Sequence, residues 1–129
     1  MRAEELKGHL DAVLLAALEG GPRHGYAVIE ALRQSTDGRL DLPTGTIYPA
    51  LRRLEQAGLI AGTWSVVGGR RRREYRLTPA GIRALSGRRA AWQDFSAIVT
   101  AALDSATRVN AALENAALED TACPSPNPA

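Results

Sequence analysis

A run of four arginines, Arg70–Arg73, follows a glycine pair and is the densest cluster of positive charge in the sequence. A second arginine pair, Arg52–Arg53, lies on a segment with helical periodicity. The planar guanidinium group binds phosphate, or the edge of a guanine, through two parallel hydrogen bonds. These residues therefore predict contacts with a polyanion such as nucleic acid. For the run of four, the alternative is a charged strand edge that keeps hairpins of different chains from pairing.

The charges of the chain are distributed unevenly. Residues 1–93 hold fifteen bases and nine acids, a net of +6, whereas residues 94–129 hold one base and five acids, a net of −4. This asymmetry predicts a polyanionic partner for the first part of the chain only. Scatter of charge over a solvated surface is the alternative.

Residues suited to catalysis or metal binding are sparse. The two histidines, His9 and His24, lie fifteen positions apart with no cysteine or carboxylate at ligand spacing, and Cys123 is the single cysteine. The glycine pair at 68–69 lacks the strand–loop–helix context of a phosphate-binding loop. We therefore expect no enzyme activity, no catalytic residues, no metal and no cofactor.

Length and composition are those of one globular domain. The chain has 129 residues, of which 45% are hydrophobic and 23% charged. No apolar run approaches the ~18 residues that a membrane-spanning helix requires. The N-terminus has acids where a secretory signal would have an apolar stretch. We expect a soluble, cytoplasmic protein with no membrane contact.

Two short helices are predicted first, because apolar residues recur at three- and four-residue spacing. The first covers Leu10–Leu18 and is followed by a Gly-Gly-Pro sequence that would end it. The second covers residues 25–36, with Tyr26, Ile29 and Leu32 expected on its buried face.

A third helix is predicted over residues 44–57, where Ile47, Leu51 and Leu54 form a buried stripe and Thr44 is the expected cap. Its other face would present short hydroxyl residues near the helix start, for phosphate, and larger polar residues further along, for base edges. This exposed face consists of Thr44, Thr46, Tyr48, Arg52 and Arg53.

The period then changes to that of a β-hairpin. Residues 61–67 and 72–77 are the predicted strands, Gly68–Arg71 is a flexible basic tip, and Trp64 is expected in the core of the hairpin. Three helices followed by such a hairpin define a winged helix-turn-helix, a mainly α fold with a small β-hairpin.

A long helix is predicted to start at Thr78–Pro79, where a hydroxyl cap precedes a proline. Apolar residues repeat along it at alternating steps of three and four, which favours a homodimer seam. The seam consists of Trp92, Phe95, Val99, Ala102, Ala106, Val109 and Leu113. The predicted organisation is a DNA-binding domain over residues 1–78, a dimerisation helix over 79–119 and a disordered tail over 120–129.

The sequence resembles the PadR family of winged-helix transcriptional regulators over about residues 10–85. The segments that carry this resemblance are His24–Tyr26, Gly45–Leu51 (GTIYPAL), Arg53–Glu55, Ala57–Ile60, Gly68–Arg73 and Tyr75–Gly81 (YRLTPAG). A single C-terminal helix is similar to the compact branch of that family. The resemblance implies a homodimer that binds double-stranded DNA, usually a repressor released by a small ligand or a stress signal.

A sequence-specific regulator on a pseudo-palindromic operator is therefore the expected function, with a winged-helix protein-interaction module as the alternative. The residues expected to contact DNA are His24, Tyr26, Thr44, Thr46, Tyr48, Arg52, Arg53, Arg70, Arg71, Arg72 and Arg73.

Each of these expectations has a structural alternative. Tyr48 would pack against the second helix, Arg53 would pair with a nearby acid, and His24 and Tyr26 would fix the turn and pack the core. Two interpretations apply to the part of the seam formed by Trp92, Phe95 and Val99. These residues either form plain dimer core or bind a flat hydrophobic or aromatic effector, as the resemblance to some multidrug-sensing members of the family implies.

Overall fold

The computed structural model describes residue 6 and residues 8–122, and at positions 106–109 and 117–122 it describes the backbone alone. The chain divides into two compact units, Met1–Arg89 and Ala90–Ala129. Its elements, in chain order, are α1 (Leu10–Ala17), β1 (Arg23–His24), α2 (Gly25–Ser35), α3 (Thr44–Gln56), β2 (Ile60–Val67), β3 (Arg70–Leu77) and α4 (Pro79–Ala122).

The core of the first unit is built around one face of α3. Ile47, Ala50, Leu51 and Leu54 are each at most 2% exposed, which confirms the predicted apolar stripe. Burial of such aliphatic side chains contributes about 1.5–3 kcal/mol each to folding. The opposite face of α3 is thereby held in solvent.

Helix α2 begins at the predicted residue, but the residue buried on its first turn is not the predicted one. His24 is the N-cap, and its Nδ1 atom accepts a hydrogen bond from the Ala27 amide at 3.3 Å. The helix therefore begins at Gly25, which takes the buried position on this turn, and the expectation that Tyr26 is buried is wrong, since its side chain is 58% exposed. Successive helical residues are rotated by about 100°, so the residue that follows a buried one can point into solvent, as Tyr26 does after Gly25.

The link between α2 and α3 contributes to the core as well. Leu40 and Leu42 are 6% and 3% exposed, although the sequence analysis assigned them only to a connector. The Thr36 hydroxyl donates to the Leu32 carbonyl at 2.7 Å and accepts from the Leu40 amide at 2.9 Å. This hydroxyl ends α2 and orients the chain that leads to α3.

The three strands form one antiparallel sheet in the order β1–β3–β2. Val67 pairs with Arg70 across a two-residue turn, Gly68–Gly69, in which φ is 59° and 78°. Positive φ at both central residues defines a type I′ hairpin turn, for which glycine is favoured. The expected four-residue tip is therefore wrong: β3 begins at Arg70, and Arg71 is also a strand residue.

The start of α4 is held against the end of α3, and the predicted Thr78 cap is confirmed. Its hydroxyl accepts from the Gly81 amide at 3.1 Å and donates to the Gly58 carbonyl at 2.6 Å, while its own amide donates to the Leu59 carbonyl at 3.1 Å. A Cβ atom added at Gly81 would overlap the Leu59 carbonyl oxygen.

Helix α4 continues to Ala122, so residues 120–122 of the expected tail are helical; its remainder, 123–129, and Cys123 with it, lie outside the described residues. None of the helices in the described part of the chain is long and apolar enough to cross a membrane.

We expect Gly81→Ala to lower the free energy of unfolding by about 1–3 kcal/mol, because the methyl group would force the first turn of α4 away from the Leu59 backbone. The matched control is Gly87→Ala on the same helix, where an added Cβ meets nothing within 4 Å. That control should gain up to about 1 kcal/mol, since alanine is the better helix former. Urea unfolding followed by circular dichroism measures both. Equal stability of Gly81→Ala and the unsubstituted protein would contradict the close contact.

Candidate nucleic-acid interface

The exposed face of α3 presents the polar row that the sequence predicted. Thr44, Tyr48 and Arg52 follow one another at four-residue steps and are all exposed, whereas Thr46 is half-buried. Thr44 does not cap the helix, contrary to expectation, because it is itself the first helical residue and Pro43 occupies the N-cap position without a side-chain hydrogen bond.

The Tyr48 side chain packs against α2 on one side and is accessible to solvent on the other. A Cβ atom added at Gly25, the first residue of α2, would lie 3.0 Å from the Tyr48 hydroxyl and closer still to its ring. The remaining side of the ring is open, and the residue is 42% exposed. Glycine at position 25 therefore lets the tyrosine lie against α2, and this packing fixes the direction of its hydroxyl.

The two arginines of α3 differ in their partners. Arg53 pairs with Asp11 of α1 at 3.2 Å, which is the structural alternative raised for it, and Arg88 approaches the other oxygen of this carboxylate at 3.9 Å. Arg52 is exposed and forms no ion pair within the described part of the chain. Arg52 is therefore the arginine of α3 that is available to a ligand.

The hairpin carries its arginines on two faces. Because side chains alternate along a strand, Arg71 and Arg73 share one face of β3 while Arg70 and Arg72 occupy the other. Arg70 and Arg71 are exposed, whereas Arg72 and Arg73 are half-buried. Four consecutive arginines thus have different environments, which the sequence run alone does not distinguish.

Arg73 is bound to α3. Its Nε atom donates to Oε1 of Glu55 at 3.3 Å, and a second guanidinium nitrogen donates to Oε2 of the same carboxylate. These hydrogen bonds hold the pKa of Glu55 below its ordinary value, against the effect of burial. At Gly62 on β2, which pairs with Tyr75 and lies diagonally across the ladder from Arg73, an added Cβ would lie 2.6 Å from the Arg73 Nε atom, so the glycine leaves the space that this side chain occupies.

Trp64 is exposed rather than part of the hairpin core, and the expectation for it is wrong. The indole is 59% exposed, and the guanidinium carbons of Arg71 and Arg73 lie 4.7 and 5.3 Å from its ring centroid. The core ends nearer the base of the hairpin, where Ile60 and Tyr75 are 1% and 7% exposed. Cation–π contacts stabilise the outer part of this face instead.

The start of α2 lies beside the hairpin. His24 pairs with Glu74 across the β1–β3 ladder, and burial, together with the Arg72 guanidinium, holds the pKa of His24 below its ordinary value against the effect of Glu74. A neutral imidazole suits the cap, because its unprotonated Nδ1 atom must accept a hydrogen bond from the Ala27 amide. His24 therefore fixes the turn at the start of α2, which is the structural alternative given for it above. Tyr26 is exposed and accessible to a ligand.

The base of the hairpin and the exposed row of α3 form one surface. Burial raises the pKa of Tyr75, the Glu55 and Tyr48 side chains raise it further, and Arg73 and Arg52 lower it, so each of these four groups lies within electrostatic range of Tyr75. The sequence analysis missed Glu55 and Gly62 as parts of this surface. The signals for Glu55 were its place on α3 one turn beyond Arg52 and its position in the Arg53–Glu55 segment of the family resemblance.

A second exposed surface runs along α4 in the second unit. Trp92, Phe95, Val99 and Leu113 are 50%, 56%, 39% and 64% exposed, and the ring centroids of the aromatic pair are 6.1 Å apart. Ala102 is exposed as well, and the side chains of Ala106 and Val109 lie outside the described residues. Two further apolar residues of this helix, Ile98 and Leu103, are not part of the predicted seam but are 61% and 65% exposed, and they follow Phe95 and Val99 by three and four positions.

The described residues contain no group of three or more histidine, cysteine, aspartate or glutamate side chains able to hold a metal ion.

Comparison with known proteins gives a consistent result. The family described as "Transcriptional regulator PadR-like family" matches residues 14–87. The structure of a transcriptional regulator from Clostridium thermocellum aligns with a TM-score of 0.71 at 28% identity, covering 76% of this chain and 96% of that chain. A PadR family transcriptional regulator from Eggerthella lenta aligns with a TM-score of 0.67 at 33% identity, covering 78% of this chain and 86% of that chain.

Among the curated proteins, the transcriptional regulator Rv3488 of Mycobacterium tuberculosis is 42% identical over 74 residues, which are 57% of this chain and 56% of that protein. The chain therefore matches a little more than half the length of this relative. The matched residues, 14–87, include α3 and the whole hairpin. With its winged helix-turn-helix and long C-terminal helix, the chain belongs to the PadR-like family of transcriptional regulators.

Proposed function

We propose that this chain is a sequence-specific DNA-binding repressor, which acts as a homodimer on a pseudo-palindromic operator and is released by a small effector. The observation that carries the proposal is the division of α3, whose apolar stripe is buried while Tyr48 and Arg52 remain exposed beside a basic hairpin. Such a helix fits the major groove of DNA, with the hairpin beside it.

The polar residues of α3, the hairpin and α2 would make different kinds of contact with DNA. Arg52 would bind a guanine edge through two hydrogen bonds, and Tyr48 would contact the neighbouring base or its phosphate. Thr44 and Thr46, at the first turn of α3, would bind phosphate together with the helix amides. The outer arginines of the hairpin, Arg70, Arg71 and Arg72, would bind the sugar–phosphate backbone, and Tyr26 would reach a phosphate from α2.

The apolar stripe of α4 supports the homodimer. Large apolar side chains exposed in a row on one helix favour burial against another copy of the same helix. A two-fold symmetric pair would present two copies of α3 to successive major grooves, which requires half-sites about 10 bp apart, or a multiple of that distance.

The aromatic pair Trp92–Phe95 supports an effector site at the same seam, because a flat apolar molecule can lie against an exposed indole. An effector shifts the protein between two arrangements only by its difference in affinity for them. In a Trp64→Phe background, quenching of the remaining Trp92 fluorescence by planar aromatic compounds would report such binding, and its absence across a broad set would leave this seam as dimer core.

We expect Arg52→Ala to weaken operator binding by about 1–3 kcal/mol and to relax base preference at one position of each half-site, because a bidentate base contact would be lost. The matched control is Arg83→Ala, which removes an exposed arginine from α4 instead. Fluorescence anisotropy with an operator duplex and a scrambled duplex measures both losses. Equal affinities of Arg52→Ala and the unsubstituted protein for the operator would contradict the assignment of α3 as the reading helix.

We expect Phe95→Glu to raise the dimer dissociation constant at least about 100-fold, because dimerisation would bury an unpaired carboxylate. The matched control is Ala97→Glu, which adds the same charge at an exposed position about 200° around the helix from Phe95 and from Val99. Sedimentation equilibrium measures both. A dimer that survives Phe95→Glu unchanged would place the interface elsewhere.

A further inference from the structure

Glu55 is an acid on a surface otherwise suited to a polyanion. It lies on α3 one turn beyond Arg52, at the junction with the hairpin, and its side chain is 27% exposed. A carboxylate at this place repels phosphate and opposes DNA binding. Both of its oxygens accept hydrogen bonds from Arg73, and the Gly62 backbone is a further hydrogen-bond partner that helps to lower its pKa.

Three features of the structure determine where the Arg73 side chain lies. The Glu55 carboxylate binds its guanidinium through two hydrogen bonds, the Trp64 ring lies 5.3 Å from the guanidinium carbon, and the absence of a side chain at Gly62 provides its space. Its side chain is 30% exposed. A guanidinium in two charge-assisted hydrogen bonds must break them before it can bind a phosphate.

Arg71, two residues earlier on the same face of the strand, provides the contrast. It lies over the same indole at 4.7 Å, but it is exposed and has no ion pair within the described part of the chain. Phosphate contacts add affinity without sequence information, whereas base contacts provide the discrimination. Removing one arginine from the phosphate-binding set therefore lowers affinity for all DNA and leaves a larger share of the binding to α3.

We propose that Glu55 is a positioning residue that limits sequence-independent affinity for DNA: it withholds Arg73 from the phosphate backbone and fixes the hairpin to α3. The inference rests on the proposed DNA-binding function and deepens it. It assigns two roles within the four-arginine run: Arg70, Arg71 and Arg72 bind DNA, whereas Arg73 links the hairpin to the recognition helix α3.

The test is the salt dependence of binding to a random-sequence duplex, which requires no knowledge of the operator. Each phosphate neutralised in duplex DNA adds about 0.9 to the slope of log affinity against log salt concentration. In Glu55→Ala the freed Arg73 gains a phosphate, so the slope should steepen by about 0.9. Glu55→Ala should bind the duplex more tightly than the unsubstituted protein. The ratio of the two affinities should fall about threefold between roughly 50 and 200 mM salt.

The matched control is Glu74→Ala, which removes the same charge from the other face of β3, where Glu74 pairs with His24 and Thr63 rather than with Arg73. Its salt slope should equal that of the unsubstituted protein. The double variant Glu55→Ala/Arg73→Gln should also return to that slope, because the freed arginine is absent. Thermal unfolding of every variant verifies that each is folded at the assay temperature.

Arg73→Gln alone keeps the proposal falsifiable if Glu55→Ala does not fold. The proposal expects its salt slope to be unchanged, whereas a slope shallower by about 0.9 would mean that Arg73 itself binds phosphate and would overturn the inference. An unchanged slope in folded Glu55→Ala would overturn it as well. If the unsubstituted protein shows no salt-dependent DNA binding at all, the proposed function fails instead.

Discussion

One face of α3 supplies Ile47, Leu51 and Leu54 to the core, and this burial determines which residues of the helix remain in solvent. A helix placed in this way cannot rotate without exposing large aliphatic side chains, at a cost of about 1.5–3 kcal/mol each. Tyr48 and Arg52 are therefore presented in a fixed direction before any ligand arrives. Gly25 belongs to the same arrangement, because any larger residue there would displace the Tyr48 ring. The hydrophobic core thus preorganises the surface that we propose reads DNA.

Ion pairs decide how the arginines of the first unit are used. Arg53, Arg73 and Arg89 pair with Asp11, Glu55 and Glu19 respectively. The first two pairs each join two secondary-structure elements, and the third joins α4 to the turn that follows α1. Because these pairs are partly exposed, each adds only modestly to stability. In the proposed function their larger effect would be on DNA binding, since a paired guanidinium is less available to phosphate. The net charge of the first part of the chain therefore overstates the number of phosphate contacts that the protein can form.

The sequence predicted the features that depend on local periodicity and local chemistry. The buried stripe of α3 and the Thr78 cap are confirmed, because each follows from residues three or four positions apart. The exposure of Tyr26 and Trp64 and the pairing of Arg73 could not be predicted in this way. They depend on which turn of α2 meets the core, on the two-residue hairpin turn that sets the β2–β3 register, and on an acid eighteen positions away along the chain. Residue type identified the basic surface, and only the tertiary register divided it into arginines that pair with an acid and arginines that do not.

The central claim is that two copies of α3, joined through α4, read a DNA sequence together. Selection from a random duplex library, followed by sequencing of the bound fraction, tests it most directly. The account predicts an enriched pseudo-palindrome whose half-site centres are about 10 bp apart, or a multiple of that spacing, with the strongest base preference where Arg52 would contact a guanine. Binding with no enriched sequence, or enrichment of a single unpaired half-site, would contradict it.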